Sequence, residues 1–181
     1  MPRVVMPSEP LTDGPTALRP WRDSDLAAIV AACQDPEIGR WTRVPTPYGE
    51  ADARAYLLQR HESVLDGTSA PFAIVEASSD RVLGSIAVMG IVWAHARGEV
   101  GYWLAPEGRG QGHATRAVGL ICGFAVGPLG LERLALLAAA GNVASQRVAE
   151  RSGFAREAEL RSHTLNRGER HDMVAFGRVA E

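Results

Sequence analysis

GYWLAPEGRGQGHATRAVGLICGFAV (101–126) is the stretch whose reading decides the fold. It begins inside GEVGYWLAP (98–106), an apolar run of strand length. It ends in a helical pattern, with Ala114, Ala117, Val118, Ile121, Phe124 and Ala125 recurring at i, i+3, i+4 and i+7. Between the two lies EGRGQGHAT (107–115), with Gly108, Gly110 and Gly112 at alternate positions. That spacing lets the backbone turn tightly and bring several N–H groups to one point, where the following helix adds the positive end of its dipole. The pattern predicts an anion site suited to a pyrophosphate, with Arg109 as a cation beside it.

Two familiar phosphate motifs do not fit. Walker A needs a Lys, and all 19 basic residues of this chain are Arg. The same absence removes Schiff-base chemistry on lysine. A GxGxxG read from Gly108 meets His113 at its last position, and read from Gly110 it meets Thr115. The 181 residues fit one domain, and a chain of this size buries roughly 70% of its unfolded surface without staples. A net charge of −2 argues against a sequence-independent grip on nucleic acid or anionic membrane, so neither is expected as a partner. Cys33 and Cys122 stand far apart, with no His at metal spacing, and read as buried small hydrophobes; no metal is expected. The Pro-rich residues 1–15 read as a loose lead-in without an apolar signal or anchor segment, and a cytoplasmic protein is expected.

Working outward, TALRPW (16–21) reads as a strand, followed by a helix capped at Asp23 or Ser24. DPEIGRW (35–41) reads as one helical turn, and a second helix runs from about Glu50 to Ser63. PFAIVEA (71–77) and RVLGSIAVMGIV (81–92) form a hairpin pattern. RLALLAAA (133–140) reads as a strand buried on both faces, with a helix as the alternative. Asn142 caps the next helix, and FAREAELRSHTL with HDMVAFGRV closes the chain as an antiparallel pair. The order β-α-α-β-β-β-α-β-α-β-β predicts an α+β fold with a mixed sheet, occupying 16–181.

What remains of the glycine loop is Arg-x-x-Gly-x-Ala, as Arg109, Gly112 and Ala114. This resembles the acetyl-CoA pyrophosphate loop of the GNAT N-acetyltransferases. Asn142 to Arg147 followed by Ser152-Gly153-Phe154 is similar to that superfamily's second segment in its RimJ/RimL-type branch. Leu18-Arg19-Pro20 with Asp25, Asp35-Pro36-Glu37, and Gly101 to Leu104 match the branch as well, in order, over about residues 16–179. The resemblance implies a mostly antiparallel sheet flanked by helices, with a V-shaped splay between central strands that holds the pantetheine of acetyl-CoA. Carried over, Tyr102, Trp103 and Leu104 line that arm. Arg109, Gly110, Gln111, Gly112, His113, Ala114 and Thr115 bind the pyrophosphate. Asn142 contacts the cofactor, and Ser145 lies beside the thioester sulfur.

The implied reaction is direct acetyl transfer to a primary amine, a protein N-terminal α-amine or a small molecule. Such transfer asks for a base, an oxyanion donor and a tolerable leaving thiolate. Glu99, on the central strand, is the expected base, with His163 and His95 as alternates. The Leu104 backbone N–H is the expected oxyanion donor. Many relatives carry an acid Tyr five residues before the Gly-Phe phenylalanine, where this chain has Ala149, and that leaves Ser145 as the hydroxyl candidate. Glu37, Trp41 and Tyr48 are expected to wall the acceptor. Relatives often pair as homodimers. A non-catalytic acyl-CoA-binding module is the alternative from another class.

Overall fold

The computed structural model describes residues 4–180. Its elements are β1 (Leu11–Asp13), β2 (Thr16–Arg19), a 3-10 turn running into α1 (Leu26–Ala32), α2 (Pro36–Trp41), α3 (Glu50–Leu65), β3 (Ala70–Glu76) and β4 (Val82–Val92). They continue with β5 (Arg97–Leu104), α4 (His113–Val126), β6 (Arg133–Ala139), α5 (Val143–Arg151), β7 (Ala155–Asn166) and β8 (Glu169–Val179). The strands form one sheet in the order β1-β2-β3-β4-β5-β6-β8-β7, antiparallel throughout except for β5 and β6.

Two faces of this sheet are covered. On one, α4 lays Ala117, Val118, Ile121 and Phe124 over Leu83, Ile86, Leu134 and Phe176 in the main core. On the other, a smaller cluster gathers Ile29 of α1, Ala53 of α3, Cys33 and Tyr48, with Trp21, Tyr56 and Trp103 around it. Because β3 and β4 run between the two layers, both read as nearly continuous buried runs. Burial alone pushes both cysteine thiols up to about 11, as expected of inert packed side chains.

Two expectations need correcting. The lead-in is not loose throughout: Leu11 to Asp13 pair with β2 as an edge strand, and Val4 is buried in the main core. Nor is β6 buried on both faces. Leu134, Leu136 and Ala138 are buried while Ala135, Leu137 and Ala139 are half-buried, because α4 and α5 cover one side only. The apolar residues on the other side, Leu137 among them, mask the alternation in the sequence.

The defining feature is where β5 and β6 part. Arg97, Gly98 and Glu99 pair with Arg133, Leu134 and Ala135, and the parallel ladder stops there. Beyond it β5 stays paired to β4 as far as Leu104, and β6 stays paired to β8 as far as Ala139. The result is a fork with Glu99 at its apex.

Gly84 lets β4 follow β5 along this arm. A Cβ there would collide with the Trp103 carbonyl oxygen and lie 2.9 Å from Leu104 Cδ2. Gly84→Ala is therefore expected to cost about 1–3 kcal/mol, several degrees in Tm. Gly119→Ala, where a Cβ meets nothing within 4 Å on exposed α4 surface, should raise stability instead. Thermal denaturation of the two variants separates close approach from a general intolerance of alanine.

Candidate active site

The anion end of the site sits between β5 and α4. Gly110 and Gly112 have φ of +75° and +80°, the left-handed region that L side chains avoid, so the loop needs glycine at both. Gly112 is the N-cap of α4 and has no side chain to bond the first-turn amides, which leaves them for an outside acceptor. Ala114 and Thr115 are half-buried in that turn. Gln111 folds back to donate to the Glu107 carbonyl at 2.7 Å. Arg116, which the sequence reading did not single out, lies across the loop and donates to the Gln111 carbonyl at 3.2 Å. Its position one turn into the helix was the available signal.

Two loop residues take roles other than those expected. Arg109 turns its guanidinium back, donating from Nε and Nη2 to the Leu104 carbonyl at 3.1 and 2.8 Å and pairing with Asp35. It fastens the loop rather than offering a free cation. His113 points into the core, where its Nδ1 meets the Thr16 hydroxyl at 2.8 Å and burial lowers its pKa. Only its backbone faces the loop.

Along the fork, the side chains of β5 alternate. Tyr102 and Leu104 pack toward the main core, whereas the Trp103 ring joins the α1–α3 side, so Trp103 offers the fork only its backbone. Asn142 caps α5, its Oδ1 accepting from the Ser145 amide at 3.1 Å. The Tyr102 hydroxyl donates to Ser145 Oγ at 3.1 Å, a bridge across the fork that no sequence spacing announced. Burial holds the Tyr102 phenol above its ordinary pKa, which keeps it a donor, although the bond to Ser145 pulls the other way.

At the apex, burial raises the Glu99 carboxyl above its ordinary pKa, while Arg43 and His163 pull it down through space. His163 acts on Glu99 through space, whereas His95 sits exposed in the turn before β5. Of the expected acceptor wall, Trp41 donates to Glu37 Oε2 at 3.0 Å and stacks under Arg40, whose guanidinium carbon is 4.5 Å from the ring centre. A Cβ on Gly141 would touch that ring at 3.3 Å, so Trp41 lies at the turn between β6 and α5. Tyr48 does not belong to the wall. It is 7% exposed in the α1–α3 cluster, because that cluster needs a large ring beside Cys33.

Residues the sequence did not mark lie next to Trp41. The tip of the β7–β8 hairpin reaches the loop after α2: Asn166 donates to the Arg40 carbonyl at 3.2 Å, and Arg167 to Thr46 Oγ1 at 2.6 Å. Among the described residues no group of His, Cys, Asp and Glu could hold a metal, and no helix is long and apolar enough to cross a membrane.

A fork ending in an amide-lined anion loop is the frame of an acetyl-CoA-dependent acetyltransferase, and comparison with known proteins agrees. Residues 16–155 match the acetyltransferase (GNAT) domain family, and the chain belongs to it. YdaF of Bacillus subtilis (strain 168), which bears the provisional name of a ribosomal N-acetyltransferase, is 36% identical over 93 residues; the match spans 51% of either chain. The uncharacterized N-acetyltransferase YoaA of the same organism is 24% identical, over 90% of this chain and 92% of its own. Among solved structures, the ribosomal L7/L12 α-N-protein acetyltransferase RimL in complex with coenzyme A superposes with a TM-score of 0.83 at 18% identity, covering 94% of this chain and 98% of that one. The RimL likeness at 18% identity shows the shared fold, family membership rests on the domain match, and acetyl-CoA is the co-substrate of that family.

The anion loop generates a direct prediction. Gly112→Ala should cost about 1–2 kcal/mol of stability through backbone strain and weaken coenzyme A binding about tenfold, because the loop amides move. Calorimetry on the folded variant checks it.

Proposed function

We propose that this protein acetylates a primary amine, a protein N-terminal α-amine or a small-molecule amine, by direct transfer with both substrates bound. What carries the reading is Glu99, the last β5 residue paired to β6, a partly desolvated carboxylate at the inner end of the fork. There it would take the proton from the attacking amine, directly or through one water. The Leu104 N–H would donate to the carbonyl oxygen as charge develops on it. Ser145, held by the α5 cap on one side and by Tyr102 on the other, would meet the leaving sulfur. Acetyl-CoA supplies the activated acyl group; this chain orients it and manages protons.

Glu99→Gln is expected to keep the fold and coenzyme A affinity while lowering kcat about 10²–10⁴-fold. A base must be ionised to act. Since burial raises the Glu99 pKa, the wild-type rate should fall as pH drops through a value above the ordinary carboxylate range. That acid limb should vanish in Glu99→Gln, although the amine contributes to the apparent values. A wild-type rate and unchanged profile in the variant would move the base elsewhere, with His163 next.

Ser145 and Tyr102 are tested as a pair. Ser145→Ala and Tyr102→Phe should each lower kcat more than acetyl-CoA affinity, and the double variant should lose little beyond Ser145→Ala. Additive losses, or equal loss of affinity and turnover, would leave Ser145 as a cap and cofactor contact only.

A further inference from the structure

Between the loop after α2 and the tip of the β7–β8 hairpin lies a cavity of about 370 Å³, lined by Arg43, Val44, Pro45, Thr46, Leu165, Asn166 and Arg167. Two guanidinium groups reach it and no carboxylate lines it. Neighbouring arginines are neutralised: Arg40 pairs with Glu37 and Arg109 with Asp35. The two at the cavity are not. Arg167 spends its Nη2 on the Thr46 hydroxyl and the Val44 carbonyl, both uncharged, and pairs with no acid among the described residues. Arg43 is exposed and has no hydrogen-bond or ion-pair partner among them.

Guanidinium charge that no carboxylate pairs, facing an accessible cavity, favours an anion, and carboxylate or phosphate matches its planar fork. Two residues before Arg43, the Trp41 ring packs at Gly141 in the β6–α5 turn, so the cavity lies on the fork side of the molecule, and Arg43 acts on Glu99 through space. Leu165, 57% exposed, and Val44 add an apolar wall. A polyamine would bring a second cation against two guanidiniums that no carboxylate of the cavity pairs, and would be disfavoured.

We propose that this cavity selects the acceptor: a monoamine that also carries an anionic group, bound by Arg43 with Arg167 behind it while the amine lies at Glu99. The proposal rests on the acetyltransferase reading above. The ligand chemistry has two sources, an acidic residue near the N-terminus of a peptide or the anionic end of a small amine, and the test separates them.

The intact protein is assayed for coenzyme A release with two C-terminally amidated peptides differing only in Asp against Asn at the second position. Aminopropyl phosphate is compared with propylamine in a parallel arm, and spermidine is included. The anionic member of at least one pair should be favoured about tenfold in kcat/KM, the difference lying in KM and shrinking with added salt. Which pair responds names the source. Arg43→Gln should close that gap, and Arg43→Glu should turn preference toward spermidine, a reversal that a misfolded variant could not produce. Turnover indifferent to the anionic group, or spermidine preferred by the wild type, would overturn the proposal and leave acetyl transfer standing. Acetyl-CoA binding without transfer to any acceptor would overturn both.

Discussion

Everything in the site depends on the ladder between β5 and β6 stopping after three residues. Each strand is held on its outer edge by a full antiparallel partner, β4 for β5 and β8 for β6, so the inner edges can separate without either strand fraying. A backbone amide buried without a partner costs about 1–3 kcal/mol. A slot edged by strand backbone therefore favours a ligand with amides of its own, as pantetheine has. The same separation leaves Glu99 desolvated at the apex and admits the start of α5, with Ser145, at the mouth.

The fork does not act alone, because the N-terminal helices are tied to it. Asp35 caps α2 by accepting from the Glu37 amide at 3.2 Å, and it also pairs with Arg109, which grips the Leu104 carbonyl. One carboxylate thus links the acceptor-side helix, the anion loop and the end of β5. Arg19 forms a buried bidentate pair with Asp25 at 2.8 and 2.9 Å, anchoring the entry to α1 against β2. Several residues through which the sequence resembles its branch are therefore fasteners, which is a physical reason for their spacing. The hairpin tip and α2 join segments far apart in the chain, since Arg167 packs where a Cβ on Gly39 would lie 2.5 Å from its Nη2.

Local patterns were legible, whereas contacts between distant segments were not. The turn of the glycine loop into a helix, the apolar stripe of α4, the Asn142 cap and the closing hairpin all follow from local spacing, and as elements each stands as read. The edge strand β1 was hidden because three residues between prolines carry no period. The misread residues are those whose side chains chose between two surroundings. Arg109 found an acid from 74 positions away, His113 turned toward Thr16, and Tyr48 filled a core gap beside Cys33. Arg43, Asn166 and Arg167 carry no motif at all, and become part of a site only because the hairpin tip docks there.

The same reasoning explains an apparent gap in the catalytic set. Position 149, where the resemblance leads one to expect a tyrosine, is occupied by alanine, and Ala149 is fully buried in the main core on the inner face of α5. A phenol added there would have to displace that packing, at the cost that overfilling a dense interior brings. This chain instead has a phenol on the opposite wall: Tyr102 reaches across the fork from β5 and donates to Ser145 on α5. Because the phenol spends its proton on Ser145 Oγ, the serine's own hydrogen is free to point elsewhere, toward the mouth where a leaving sulfur would sit. In the mechanism proposed above, this hydroxyl pair shared between strand and helix would take the place of a single tyrosine on the helix, provided the fork keeps its width. That links proton delivery to the same three-residue ladder that opens the slot.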